Sequence, residues 1–163
     1  MRVTTTAVLA AITLSLAVGC DGGDGGDGGN GALSRTEFAQ KANGLCKEAG
    51  ADRQTVLSGI DPDAPGPEQA EQLAEIIDID EKLLEDVDDL VPPDAAQDTV
   101  DQLLDAWRER IDLEEQLREA TANDDAGEIS ALQSQVQQVD ARANPIAGGL
   151  LLNECTRGEA VSV

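Results

Sequence analysis

Three acidic residues stand at positions where a helical repeat calls for apolar side chains. Phe38 and Leu45, Leu73 and Val87, and Val100 and Trp107 set seven-residue spacings that predict buried side chains at 52, 80 and 114, where the chain carries Asp52, Asp80 and Glu114. Laid out at 1.5 Å per residue, Asp52 and Glu114 fall at similar heights, with Asp80 nearer the middle. Three inward carboxylates could bind a divalent cation or a cationic amine, or one could serve as a general acid with a raised pKa in a carboxylate-based hydrolase. The plainer reading pairs them with Arg53, Arg108, Arg110 or Arg118 as internal ion pairs.

The residues that are missing narrow the chemistry further. The chain has no His, no Tyr and one Met, the first residue. Haem ligation, imidazole-zinc sites and Ser-His or Cys-His catalysis therefore have no residues to use. The paired Glu-x-x-His ligands of a ferritin-like di-iron centre cannot be written either. No cofactor is expected. The acidic run from Asp78 to Leu90 lacks the Asp or Asn and the Gly that a calcium loop needs at its fifth and sixth places, where Lys82 and Leu83 stand. It reads as a solvated helix face.

The three cysteines have separate roles. Cys20 follows Met-Arg and an apolar run from Val3 to Val18, which is too short to span a bilayer and has the order of a secretory signal. After it comes DGGDGGDGGN, a flexible coil that makes sense as a tether. From Asp21 to Leu33 its typical reach is about 20 Å. Cys46 and Cys155 then remain, and in an oxidising compartment a disulfide between them is the natural inference.

Four amphipathic segments must position these residues. Ser34 and Glu37 form a capping box opening a helix that ends near Gly59; a second begins at Pro67 and stops at Val91-Pro92-Pro93. A third runs from about Asp94 to the TANDDAG stretch, with Trp107 as a core anchor, and a fourth carries Ile129, Leu132, Val136, Val139, Ala143, Ile146 and Leu150. Pro145 predicts a kink, or a break after Asn144. Short connections imply an all-α, up-down-up-down four-helix bundle closed by one disulfide, because such a bundle places its first and last segments at one end. The expected organisation is a signal peptide at 1–19, Cys20 and a flexible Gly/Asp tether at 20–33, the bundle at 34–158 and a tail at 159–163.

Two stretches carry a resemblance. LAVGC, ending at Cys20, resembles the bacterial lipobox, in which the cysteine becomes the new N-terminus and carries a thioether-linked diacylglycerol; Ala17 stands where leucine is usual. LSRTEFAQKANGLCKEA and GLLLNEC resemble small secreted proteins and lipoproteins of high-GC Gram-positive bacteria, which share an early helical cysteine and a distant terminal one. The resemblance implies a helical, disulfide-closed domain tethered to the outer face of the cytoplasmic membrane, and it carries no activity over. The formal charge of −22 argues against nucleic acid as a partner. The reading is a membrane-anchored interaction module for an envelope protein or a cationic ligand, with a protein that binds a small cationic ligand or a divalent metal through the inward carboxylates as the alternative, a carboxylate-based hydrolase as a remote one, and no enzymatic activity expected.

Overall fold

A computed structural model describes residues 31–157; the expected signal peptide, Cys20, most of the expected tether and residues 158–163 lie outside the described residues. Helix α1 spans Arg35–Gly59, α2 Gly66–Asp88, α3 Gln97–Ala122 and α4 Ala126–Gly149. The fold is the expected all-α bundle. Both halves of the capping box form: Glu37 N donates to Ser34 Oγ at 3.3 Å and Ser34 N donates to Glu37 Oε2 at 3.0 Å. Pro67 stands in the first turn of α2, where its missing N–H costs nothing. A 3₁₀ turn at Asp94–Ala96 leads into α3, and Asp125 caps α4 through the Glu128 amide.

Successive helices pack on one another around Leu103, Leu132, Val87, Val100, Val139 and Phe38, all fully buried, with Trp107 also in the core. Gly66 lets the start of α2 approach the α3–α4 turn closely, since a Cβ there would stand 2.2 Å from the Thr121 carbonyl oxygen. Pro145 does not end the fourth helix, which continues to Gly149. Pro145 and Ala141 are both exposed, so water can take the Ala141 carbonyl that the proline leaves without a helical partner.

The closure of the bundle is more particular than four helices in a square. After α4 the chain turns at Leu150 and Leu151 and runs back as a strap, its 3₁₀ turn at Asn153–Cys155 packed on α1 and α4. Asn43 of α1 holds this strap at two points, donating to Leu151 O (2.8 Å) and accepting from Glu154 N (2.9 Å). The Cys46–Cys155 disulfide comes next, with Cα atoms 5.0 Å apart and a sequence separation of 109. Asn144 of α4 then both donates to Arg157 O (2.9 Å) and accepts from Arg157 N (2.8 Å). Leu152 is fully buried beneath the strap.

Candidate functional site

The strap delivers Arg157 to a cluster of charges inside the bundle. Asp80 on α2, 3% exposed, faces two guanidinium groups at once. Arg53 Nη1 donates to Asp80 Oδ1 and Oδ2 at 3.0 and 2.8 Å, and Arg157 donates through Nη2 to Oδ1 at 2.8 Å and through Nη1 to Oδ2 at 3.1 Å. Arg157 thus grips the carboxylate with both arms of its fork. On α3, Arg110 pairs with Glu114 one turn away, Nη2 to Oε1 at 2.8 Å, and with Asp140 of α4, Nε to Oδ1 at 3.4 Å. Arg110, Glu114 and Asp140 are all buried.

Three acids are therefore matched by three arginines. The match is formal, because burial pushes the Glu114 carboxyl up to about 7 against the pull of Arg110, with the nearby Asp80 carboxylate adding to the rise. A protonated Glu114 can donate a hydrogen bond to Asp80. Burial also raises Asp140, again opposed by Arg110 and then Arg53. Arg110 Nε and Nη1, Glu114 Oε2 and Asp140 Oδ2 have no hydrogen-bond partner within the protein. Beside them lies a cavity of about 10 Å³ lined by Asp80, Trp107, Arg110, Ile111 and Arg157, room for roughly one water molecule.

Two of the three acids singled out by spacing meet here and the third does not. Asp80 and Glu114 turn inward as expected, whereas Asp52 is exposed. The reason is the register of α1: its buried seam runs through Phe38, Ala39, Ala42, Cys46 and Ala49, and continuing those steps brings Arg53 inward, leaving Leu45 half-buried and Asp52 exposed. Cys46, fixed by the disulfide, was the signal that could have set this register, since Arg53 stands seven residues after it. Asp52 lines instead a shallow groove of about 70 Å³ between α1 and α2, with Glu48, Lys82 and Asp86, the last two being an ion pair. Among the described residues no group of three or more acids or cysteines is arranged to hold a metal ion.

Of the four arginines offered as partners, Arg53 and Arg110 take that role. Arg108 pairs outside with Asp105 and Asp88, and Arg118 with Glu115. Asp140 was missed because its neighbour Val139 satisfies the apolar repeat of α4, and Arg157 because it lies beyond the helices, where periodicity carries no information. No family model, curated protein or solved structure matches the chain.

Proposed function

We propose that this chain is a lipid-anchored extracytoplasmic module that binds a basic envelope protein through its acidic exterior, and that it is not an enzyme. The observation that carries the reading is the division of charge. The interior acids are answered by interior arginines, so the formal net charge of −22 belongs entirely to the rest of the chain. A surface so strongly acidic attracts and orients a basic partner and repels polyanions. The attachment in this reading is the lipobox-like LAVGC ending at Cys20; among the described residues no helix is long and apolar enough to cross a membrane.

Other chemistries gain little support from the geometry. A hydrolase built on Asp80 and Glu114 would need substrate room between them, and a cation site would need carboxylates not already held by guanidinium groups. The test uses the full chain and Cys20→Ser produced in a high-GC Gram-positive host. The wild type is expected in the membrane fraction, with diacylglycerol on its N-terminal peptide, and the variant in the medium. A partner cross-linked in those cells and then purified should bind at least tenfold more weakly at about 0.5 M than at about 0.05 M salt. Cys20→Ser retained in the membrane, or binding indifferent to salt, contradicts the proposal.

A further inference from the structure

Val91 and Leu151 are the large apolar side chains exposed among the described residues, about half of each accessible to solvent. Single exposed apolar residues are ordinary on a protein surface. These two share one end of the bundle. Leu33 N donates to Val91 O at 2.9 Å, and Arg35 Nη2 donates to Gly149 O at 2.8 Å, so both lie around the start of α1. The tether enters the bundle at the same place, since Leu33 is its last residue.

Leu151 also has a backbone conformation that its side chain does not favour. It follows the C-cap Leu150 with φ of +64°, in the left-handed region, while Leu152 N reaches back to Ala147 O at 2.9 Å. Glycine is the usual residue at that place, because a side chain there is strained. A leucine both strained and exposed gains nothing evident from the fold of its own domain.

We infer that the end of the bundle bearing Val91 and Leu151 rests on the lipid bilayer, the two side chains reaching into the boundary between headgroups and acyl chains. The inference rests on the anchoring proposed above. A tether of this length holds the domain close to the membrane, so a contact too weak to recruit a free protein can still orient an anchored one. The exposed Arg35 at this end can meet lipid phosphate, while the exposed Asp88 and Asp89 limit the contact to shallow depth.

The full lipidated chain, reconstituted in phosphatidylcholine vesicles containing a phospholipid with a photoactivatable acyl chain, provides the test. Cross-links should map to the peptides containing Val91 and Leu151 in several-fold excess over the far-end turns at 60–65 and 123–125. The double variant Val91→Ser with Leu151→Gly should lose that excess, whereas proximity through the tether alone would leave it intact. Leu151→Gly by itself should raise Tm by roughly 3 °C, because glycine relieves the strain. An unchanged cross-linking pattern in the double variant, or a lowered Tm for Leu151→Gly, overturns the inference. Absence of diacylglycerol on the N-terminal peptide defeats the anchoring itself, and is read separately by mass.

Discussion

Asp80 and Asp52 have the same side chain and opposite consequences. Removing Asp80 by substitution with Ala strands Arg53 and Arg157 beside each other in a part-buried site, and the expected cost is about 3 to 5 kcal/mol. Asp52→Ala, on the exposed groove, should change stability by less than about 0.5 kcal/mol. Denaturant unfolding of the two variants checks the contrast, and equal costs would refute the assignment of Asp80 to the interior. Glu114 carries a pH dependence whose sign follows from its raised pKa. Between its ordinary value of 4.5 and about 7, the folded protein holds a proton that the unfolded chain has released. Its contribution is therefore full below the lower value and lost as pH rises through the higher one, a change on the order of 3 kcal/mol. Asp140 acts in the same direction. Glu114→Gln, which keeps a donor toward Asp80 and an acceptor for Arg110, should flatten the stability profile between about pH 5 and about pH 8 and exceed the wild type at the upper end. An unchanged slope in the variant would show that Glu114 does not carry the proton.

At the scale of elements, the helices were legible because each buries one stripe, and the spacing of Leu73, Val87, Val100 and Trp107 placed Asp80 and Glu114 correctly. Helix α1 offered two stripes. Phe38, Leu45 and Asp52 indicated one, which starts buried at Phe38 and turns progressively outward, whereas Ala39, Cys46 and Arg53 follow the one that stays inward, because the disulfide directs Cys46 inward. The strap was invisible to periodicity: it is held by the amide groups of Asn43 and Asn144 and by Cys155, none of which leaves a repeating signature. Its dependence on the disulfide is measurable. Cys155→Ser should lower stability by about 4 to 5 kcal/mol in the chain-entropy picture, since the cross-link closes a loop of roughly a hundred residues. Hydrogen exchange should then accelerate first at the amides of Glu154 and Arg157, which are held only by Asn43 and Asn144. Protection unchanged at those amides would contradict the strap's dependence on Cys155.

For the whole molecule, the central claim is that the internal acids pair with internal arginines as part of the structure and that recognition belongs to the outside. Thermal unfolding of the chain from Cys20 onward tests this most directly when it is recorded with calcium, magnesium, zinc and spermidine in turn. No shift specific to one cation and abolished by Asp80→Asn is expected. Spermidine can raise Tm only through the exposed acids, and the rise should vanish in high salt. A salt-resistant, cation-specific rise in Tm that disappears in Asp80→Asn would mean that the interior acids are a ligand site, and the claim would fall.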